Sequence, residues 1–417
     1  MKKLVIQGGN PLSGTIHISG AKNSAVALVP ASLLSDEEVV IDQIPNITDI
    51  DALDEILIYL GATIKREGST MTIHSEKIQN KEIPEEISKK LRASYYFMGA
   101  LLGKYKKVEM YFPGGCAIGK RPIDQHLKAF EALGATIQIE GNKYKIEADK
   151  LIGNDIYLDC ASVGATMNAM LASVKAVGKT VIHNAAKEPE IVNVATLLNN
   201  MGADIEGAGT SEIIITGVEK LGKAYIEVIP DRIEAGTYII LGALLGNPLT
   251  IENIIPNHIE ALLSKLKETG VPYDLSANRI TVWAKSDLTP TAITTAVYPG
   301  FPTDLQQPIT TLLTLVPGTS KVTETIYENR FQNISYLNEM GAKIKVDGDT
   351  LTIEGVDKLH GNVVQATDLR AGACLFLAGL KADGTTTIEH VEYVLRGYEN
   401  IIEKLTQVGA KIELKEI

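Results

Sequence analysis

One cysteine lies in a segment whose composition would keep it out of a packed core. Cys116 follows two adjacent glycines and precedes a third, within FPGGCAIGKRPID at residues 112–124. Glycines at this density favour a loop that exposes the thiol, and Lys120 and Arg121 would lower the pKa of a nearby thiol. From these surroundings, Cys116 can be a proton donor, a nucleophile or a redox sensor.

The other cysteines and the histidines narrow the choice of chemistry. Cys160 and Cys374 are predicted to be buried, as small apolar side chains. Three scattered cysteines are too few for a disulfide framework or a zinc site. The seven histidines show neither metal-ligand spacing nor a cysteine-protease context. We therefore expect chemistry other than acyl hydrolysis, without a metal or an organic cofactor.

Arginine is scarce and unevenly placed. Six of the eight arginines fall at or just before the start of a predicted helix, namely Arg92, Arg121, Arg232, Arg330, Arg370 and Arg396. Because a cation there opposes the helix dipole by a few tenths to about 1 kcal/mol, the placement favours anion binding. Small residues at predicted helix starts in segments 19–24, around Lys22, and 159–166 also suit phosphate binding. The alternative is that these residues only cap helices or pair with nearby acids.

The overall charge limits the classes of partner. The formal net charge of the 417 residues is −11, which argues against nonspecific binding to nucleic acid or to an anionic membrane. Any anionic substrate must therefore be bound locally. The sequence contains neither an apolar run long enough to cross a bilayer nor a signal-peptide core at its start, so we expect a cytoplasmic protein. No obligate protein partner is indicated.

Six similar segments must position these residues. Each is an amphipathic helix that ends at a glycine and leads into a hairpin, and the glycines recur at intervals of 68 to 73 residues, at Gly61, Gly134, Gly202, Gly270, Gly341 and Gly409. A glycine fits the left-handed position that follows a helix. We expect six β-α-β-α-β-β units in two lobes of three.

A second helix in each unit is predicted to be buried. The stretches 93–102, 164–174, 235–245 and 371–380 consist mostly of small and apolar residues, whereas the hairpins alternate polar with apolar residues. This pattern favours helices inside and sheets outside.

The two ends of the chain complete each other in this scheme. The last unit ends with one strand, 411–416, where the others have two, and the chain begins with an unassigned strand, 3–7. We predict that these strands pair, and that linkers near Gly20 and Val228 connect the lobes. One lobe then comprises residues 20–228 and the other residues 1–19 plus 229–417, with the active site in the cleft between them.

The motifs, together with the repeats, resemble the UDP-N-acetylglucosamine 1-carboxyvinyltransferase family over the entire chain. The matching motifs are GAKN (20–23), LRAS (91–94), PGGCAIGKRPID (113–124), SVGAT (162–166), YPGFPTD (298–304), ENRF (328–331), ATDLR (366–370) and RGYE (396–399). The resemblance implies a two-lobed, inside-out α/β barrel. It also implies transfer of the enolpyruvyl group of phosphoenolpyruvate to the 3′-hydroxyl of UDP-N-acetylglucosamine, with release of phosphate, as the first committed step of peptidoglycan synthesis.

The resemblance also implies residue roles. Lys22, Arg121 and Arg396 would bind phosphoenolpyruvate, Cys116 would protonate its methylene carbon, and Asp304 would be the general base. Further substrate contacts are implied for Asn23, Arg92, Pro122, Ile123, Asp124, Gln125, Ser162, Val163, Gly164, Ile326, Arg330, Asp368 and Arg370. Two alternative functions are weaker. A 5-enolpyruvylshikimate-3-phosphate synthase shares the repeats but lacks the cysteine loop, and a DNA sliding clamp would need basic helices.

Overall fold

The computed structural model describes residues 2–112 and 122–416. These residues divide into two compact units. The terminal unit contains residues 2–19 and 230–416, and the central unit contains residues 20–112 and 122–229. Within these residues the chain passes from one unit to the other twice, after Ser19 and after Ile229.

Short strands alternate with helices throughout both units. The described strands are β1 (Lys2–Gln7), β2 (Leu12–His17), β3 (Val39–Asp42), β4 (Thr63–Glu67), β5 (Thr70–His74), β6 (Lys107–Tyr111), β7 (Thr136–Glu140), β8 (Lys143–Glu147), β9 (Asp155–Tyr157), β10 (Lys179–His183), β11 (Asp204–Glu206), β12 (Glu212–Thr216), β13 (Ala224–Glu227), β14 (Gly246–Glu252), β15 (Tyr273–Leu275), β16 (Arg279–Val282), β17 (Ala292–Thr294), β18 (Thr319–Thr323), β19 (Lys343–Asp347), β20 (Thr350–Glu354), β21 (Val363–Gln365), β22 (Thr385–Glu389) and β23 (Lys411–Glu416).

The helices range from single turns to 14 residues. The described α-helices are α1 (Lys22–Ala31), α2 (Thr48–Leu60), α3 (Glu85–Ser88), α4 (Tyr96–Tyr105), α5 (Asp124–Ala132), α6 (Val163–Ser173), α7 (Pro189–Asn200), α8 (Arg232–Leu245), α9 (Glu260–Thr269), α10 (Gln306–Leu313), α11 (Ile334–Glu339), α12 (Leu369–Lys381), α13 (Glu392–Leu395) and α14 (Ile401–Thr406). Short 3-10 helices cover Ser32–Leu34, Arg92–Tyr95, Pro256–His258 and Thr303–Leu305.

One sheet plan recurs six times, three times in each unit. A parallel pair of strands is extended by two antiparallel strands, in the orders β21-β22-β1-β23, β2-β14-β16-β15 and β17-β18-β20-β19 in the terminal unit and β9-β10-β12-β11, β13-β3-β5-β4 and β6-β8-β7 in the central unit. In the three-stranded sheet, a single parallel bridge from Ile83 to Met110 takes the place of the missing strand. The predicted six α/β repeats are confirmed by this topology.

Two strands lie in a different unit from the helix that directly follows them in the chain. Strand β2 precedes α1 of the central unit but pairs in parallel with β14 of the terminal unit, while β13 precedes α8 of the terminal unit but pairs in parallel with β3 of the central unit. Each unit therefore contains one edge strand that the chain reaches just before it crosses to the other unit.

The predicted pairing of the first and last strands is confirmed. Strand β1 runs antiparallel to β23, with Lys2 opposite Glu416 and Gln7 opposite Lys411. Its other edge pairs with β22, so β1 is an inner strand of its sheet. Leu4 and Ile6 are fully buried in the apolar core of the terminal unit.

The recurring glycines have the conformation that the sequence predicted. All six have positive φ angles, between 82° and 103°. In this left-handed region a residue without Cβ avoids the steric cost that other residues carry. Each glycine ends one helix of its repeat and directs the chain into a strand.

The small-residue helices are buried, also as predicted. In α8 every residue from Ile233 to Leu245 is buried, and α6 and α12 are almost as enclosed. Many hairpin strands instead alternate buried with more exposed residues, as in β20 and β12. The fold is therefore of the mixed α/β class, with apolar helices forming much of the core of each unit.

Candidate functional site

The terminal unit holds a carboxylate between two buried arginines. Asp304 lies in the 3-10 helix that precedes α10. Both Nη atoms of Arg330 donate to its Oδ1, each at 2.9 Å, and Nη2 of Arg370 donates to its Oδ2 at 3.2 Å. The arginine side chains are 5% exposed and the Asp304 side chain is 23% exposed. Three residues predicted for the site are thus brought together.

Electrostatics favours the charged state of this cluster. Although burial alone lowers the pKa of Arg370, the negative charge of Asp304 raises it above its ordinary value. The same two guanidinium groups fix the orientation of the Asp304 carboxylate, and a general base must stay within hydrogen-bond reach of the proton that it accepts.

The start of α12 fixes the second arginine. Asp368 caps this helix, because its Oδ1 accepts hydrogen bonds from the backbone N–H groups of Arg370 and Ala371, at 2.8 and 3.0 Å. The hydroxyl of buried Tyr398 lies 3.4 Å from Nη1 of Arg370 and 2.9 Å from the hydroxyl of Thr237. The predicted substrate residue Asp368 therefore has a structural role in holding Arg370.

The YPGFPTD segment, which ends at Asp304, also lines a surface recess of the same unit. The bond between Tyr298 and Pro299 is cis, and the ring of Tyr298 lies 5.4 Å from the guanidinium carbon of Arg232. The recess is lined by Arg232, Ile233, Asn257, His258, Ile259, Glu260, Ala261, Leu262, Tyr298, Pro299, Gly300, Pro302 and Leu305. Asp304 is therefore next to a concave surface.

The helix-start prediction is wrong for Arg396. This residue follows the last residue of α13 and lies five positions ahead of α14. A cation suits that end of a helix, because the helix dipole is negative there. Arg330 also stands four residues ahead of α11, in the turn that brings its guanidinium to Asp304. Arg92, Arg232 and Arg370 lie within the first two residues of a helix, as predicted.

Lys22 occupies a helix start in the central unit. It is the first residue of α1, where its Nζ lies 2.9 Å from Oδ2 of Asp49, and the carboxylate of Asp49 is buried. The predicted segment 19–24 therefore does begin a helix, and Asn23 lies half-buried beside Lys22. A lysine held by a buried acid keeps a fixed cation in place.

The second predicted anion segment begins α6. Ser162 caps this helix, and its Oγ accepts from the N–H of Ala165 at 3.2 Å. Gly164 has no room for a side chain, since a Cβ there would lie 2.9 Å from the hydroxyl of Tyr95 and 2.9 Å from Cε1 of His126. The glycine therefore lets a tyrosine and a histidine pack directly against the helix start.

The start of α5 lies against the same segment. The side chain of Gln125 donates to Oδ2 of both Asp124 and Asp159, at 3.0 Å each, and accepts from the N–H of Asp159 at 2.7 Å. Ile123 is buried just ahead of this helix, whereas Pro122 is exposed. The structure thus brings predicted residues 122–125 next to predicted residues 162–164.

A buried histidine links these two helices, which the sequence analysis did not predict. Nδ1 of His126 lies 2.8 Å from the side-chain nitrogen of Asn168, and that nitrogen also donates to the carbonyl of Tyr95 at 3.0 Å. Arg92, three residues before Tyr95, has its guanidinium carbon 6.0 Å from the ring of Phe112. No histidine spacing in the sequence revealed this contact.

The described cysteines differ from the prediction in one case. Cys374 is buried as predicted, and burial raises the pKa of its thiol to about 11. The prediction is wrong for Cys160, which is exposed because it lies in the loop between β9 and α6. Partial desolvation and the carboxylates of Asp124 and Asp159 raise its pKa. Cys116, Lys120 and Arg121 lie outside the described residues.

The described residues contain neither a metal-binding cluster nor a membrane-spanning helix. Within residues 2–112 and 122–416, no group of three or more His, Cys, Asp or Glu side chains is arranged to hold a metal ion. No helix in the same part of the chain is long and apolar enough to span a membrane.

Comparisons with known proteins identify similar chains. The family model for EPSP synthase (3-phosphoshikimate 1-carboxyvinyltransferase) matches residues 6–405. UDP-N-acetylglucosamine 1-carboxyvinyltransferase 2 of Listeria monocytogenes is 52% identical over 410 residues, 98% of this chain and 97% of the relative. The protein of the same name from Bacillus anthracis is 52% identical over 413 residues, 99% of this chain and 96% of its own.

Solved structures agree on the fold. The enolpyruvyl transferase NikO of Streptomyces tendae superposes with a TM-score of 0.90 at 28% identity, covering 99% of both chains. An EPSP synthase of Acinetobacter baumannii superposes with a TM-score of 0.77 at 19% identity, covering 100% of both chains.

Proposed function

The chain belongs to the UDP-N-acetylglucosamine 1-carboxyvinyltransferase family of enolpyruvyl transferases, and we propose that it catalyses the reaction for which this family is named. The enolpyruvyl group of phosphoenolpyruvate is transferred to the 3′-hydroxyl of UDP-N-acetylglucosamine, and phosphate is released. Near full-length identity of 52% to curated relatives supports this assignment. The double arginine clamp on Asp304, within the YPGFPTD motif, is the observation that carries its chemistry.

The proposed mechanism begins at the sugar hydroxyl. Asp304 accepts the proton of the 3′-hydroxyl while the hydroxyl oxygen forms a bond to C2 of phosphoenolpyruvate. Cys116 donates a proton to the methylene carbon C3, which gives a tetrahedral ketal. Loss of a proton from C3 and cleavage of the bond between C2 and the phosphate oxygen then restore the double bond and release phosphate.

The cations allow this addition to proceed. Lys22, Arg121 and Arg396 neutralise the carboxylate and phosphate of the donor, whose negative charge would otherwise repel the attacking oxygen. Asp49 fixes the ammonium of Lys22 through their 2.9 Å ion pair. Asn23 and Arg370 support the same anion site.

Part of the predicted site is assigned to the nucleotide sugar. The proposed contacts are Arg92, Asp124, Ser162, Val163, Gly164 and Ile326, while Pro122, Ile123, Gln125, Arg330 and Asp368 belong to the proposed substrate site without assignment to one of the two substrates. The adjacency of segments 122–125 and 159–164 supports this assignment, because two helix starts offer backbone N–H groups to a diphosphate.

Three broader features complete the proposal. The repeats form an inside-out barrel in each of two lobes, the reaction takes place in the cytoplasm, and its product enters peptidoglycan synthesis. The prediction that the lobes are residues 20–228 and residues 1–19 plus 229–417, with the active site in the cleft between them, stays a prediction.

Release of phosphate from phosphoenolpyruvate tests the function directly. We expect turnover with UDP-N-acetylglucosamine and none with shikimate 3-phosphate, and mass spectrometry should detect the enolpyruvyl ether of the sugar nucleotide. Turnover with shikimate 3-phosphate alone would overturn the proposal in favour of EPSP synthase activity. Release of phosphate without either acceptor would indicate a hydrolase.

A further inference from the structure

A buried carboxylate outside the predicted site connects three segments of the terminal unit. Glu324 directly follows β18 and is 4% exposed. Its Oε1 accepts hydrogen bonds from the hydroxyl of Thr295 at 3.0 Å and from the N–H groups of Ile326 and Tyr327 at 2.8 and 3.3 Å. Its Oε2 accepts from the hydroxyl of Thr303 at 2.9 Å. Both carboxylate oxygens are therefore hydrogen-bonded to neighbouring segments.

The contact with Thr303 continues toward Asp304. Nη1 of Arg330 donates to the carbonyl of Thr303 at 2.7 Å, lies 3.2 Å from its hydroxyl, and donates to Oδ1 of Asp304 at 2.9 Å. Glu324 thus holds the residue before Asp304, and Arg330 contacts both of them. The chain of contacts ends at the carboxylate assigned as general base.

The other oxygen of Glu324 fixes a second part of the proposed site. Ile326 is assigned to the wall along the nucleotide sugar, and its N–H donates to Oε1 of Glu324. The same oxygen accepts from Thr295, whose own hydroxyl accepts from the N–H of Thr325 at 2.9 Å. One buried side chain therefore sets the spacing between the Asp304 segment and the Ile326 segment.

We propose that Glu324 is a positioning residue that aligns Asp304 with the hydroxyl of the bound nucleotide sugar. This role rests on the proposed function, since it concerns the geometry of the assigned base and of the sugar wall. Glu324 acts through Thr303, Arg330 and Ile326 rather than by touching the substrate. Because proton transfer requires hydrogen-bond reach, a displacement of about 1 Å can lower the rate by about two orders of magnitude.

The position requires a carboxylate rather than an amide of the same shape. Thr295 receives an N–H on its hydroxyl oxygen and so donates its own hydrogen to Glu324. In Glu324→Gln, one of the two terminal atoms becomes an NH₂ group, which cannot accept. If it faces Thr295 and Ile326, it opposes donors. If it faces Thr303, that hydroxyl loses its acceptor.

Steady-state kinetics of Glu324→Gln give the main test. We expect kcat to fall by about 10- to 100-fold. The KM for phosphoenolpyruvate should stay within about twofold, because Glu324 contacts the segments of Asp304 and Ile326, which are assigned to the base and to the nucleotide sugar rather than to the donor. The KM for the nucleotide sugar should rise, because Ile326 loses its anchor. Equal kcat per folded molecule in the variant and the wild type would overturn the proposal.

Two substitutions of Thr303 test the proposal independently if Glu324→Gln does not fold. Thr303→Val removes the hydroxyl that joins Glu324 to the Asp304 segment, whereas Thr303→Ser retains it. We expect a kcat loss in the valine variant and a kcat within about twofold of wild type in the serine variant. Equal kcat values for these two variants would contradict the proposed link.

Two further measurements separate positioning from general stability. Thr350→Val removes a 3.1 Å hydroxyl contact with Thr323 in the same sheet, away from the Asp304 segment, and should leave kcat unchanged. The kcat of the double variant Glu324→Gln/Thr303→Val should be no lower than that of the worse single variant, because both changes break the same hydrogen bond between Thr303 and Glu324. If the fold-losses in kcat of the two single variants multiply in the double variant, the proposal is overturned.

Hydrogen exchange distinguishes failure of this inference from failure of the proposed function. Peptides that cover residues 296–305 and 325–331 should exchange faster in Glu324→Gln than in wild type. If the wild type does not use UDP-N-acetylglucosamine, the function is wrong. Unchanged exchange in these peptides would instead show that Glu324 does not hold the segments.

Discussion

Arg330 contacts a single oxygen of Asp304 with both of its terminal nitrogens, each at 2.9 Å. The second oxygen lies 3.2 Å from Nη2 of Arg370, which is part of α12. Two arginines that are far apart in the sequence therefore determine the orientation of one carboxylate. This geometry is specific to the planar guanidinium group, which carries several donors in a fixed arrangement.

Arg330→Lys should lower kcat at least tenfold, because an ammonium group cannot contact Thr303 and Asp304 together in the same geometry. The free energy of unfolding should fall by about 1–3 kcal/mol, as for other hydrogen bonds to charged groups. Phosphate release and urea unfolding measure the two effects. Arg279→Lys, an exposed change on β16, is the matched control, and equal effects of the two changes would contradict the role of the clamp.

Fosfomycin, an epoxide phosphonate, should alkylate Cys116 in preference to the other two cysteines. Cys374 is buried and burial raises the pKa of its thiol to about 11, while partial desolvation and two nearby carboxylates raise the pKa of exposed Cys160. Both are therefore poor thiolates at neutral pH. Peptide mapping by mass spectrometry identifies the labelled residue.

UDP-N-acetylglucosamine should accelerate this labelling, because loop closure over the sugar would bring the thiol to the donor site. Iodoacetamide is the control reagent, since its small neutral group needs no anion site and can also reach Cys160. Inactivation by fosfomycin that leaves Cys116 unmodified would remove this thiol from the proposed mechanism.

Deletion of residues 1–8 should destabilise the terminal unit and cause aggregation, because strand β1 lies between β22 and β23. Its loss exposes unpaired backbone groups on both neighbours. Thermal unfolding and light scattering measure these effects. A truncated protein that melts and turns over like the full-length chain would contradict the importance of this strand.

A pair of single substitutions gives a milder version of the same test. Ile6 is fully buried and Val5 points to the other face of the strand. Ile6→Ala should cost about 2–5 kcal/mol of unfolding free energy, and Val5→Ala should cost clearly less. Equal losses of unfolding free energy would contradict the packing of Ile6, rather than Val5, in the core.

Glu234 should make the protein less stable as the pH rises from about 4.5 to about 7. Burial raises the pKa of this carboxyl to about 7, although Lys404 at 2.6 Å opposes the shift. The folded protein therefore binds more protons than the unfolded chain in this range. At about 1.4 kcal/mol per pKa unit, the loss of unfolding free energy amounts to at most about 3.5 kcal/mol.

Urea unfolding at pH 5 and pH 7.5 tests this dependence. Glu234→Gln cannot ionise at this position, so the difference in stability between the two pH values should become smaller. Glu416→Gln, an exposed change, should keep the wild-type difference. An unchanged difference in Glu234→Gln would show that this carboxyl does not titrate in the range.

Local sequence patterns predicted the elements that repeat. Two of these features depend only on nearby residues: a glycine with positive φ that follows a helix, and a helix made of small residues. Both can therefore be predicted from a short stretch of sequence. The pairing of β1 with β23 was also predictable, because the repeat count left one strand unmatched at each end.

The networks that hold the site were not predictable in the same way. Glu234 and Lys404 are 170 residues apart, and Glu324 meets Thr295 and Thr303 only after the sheet and the following turn have formed. The errors at Cys160 and Arg396 have a related cause, since each depended on the boundary of one loop or short helix. Residue type alone does not determine such boundaries.

The position of β1 also affects the order in which the protein can fold during synthesis. The central unit lies within one continuous stretch, residues 20–229, and can form its core as that stretch leaves the ribosome. The terminal unit has to wait, because its inner strand β1 is made first and its partners β22 and β23 are made last. Until β22 and β23 have been synthesised, β1 lacks both partners and its core residues Leu4 and Ile6 stay uncovered, so it is the segment that we expect chaperones to protect.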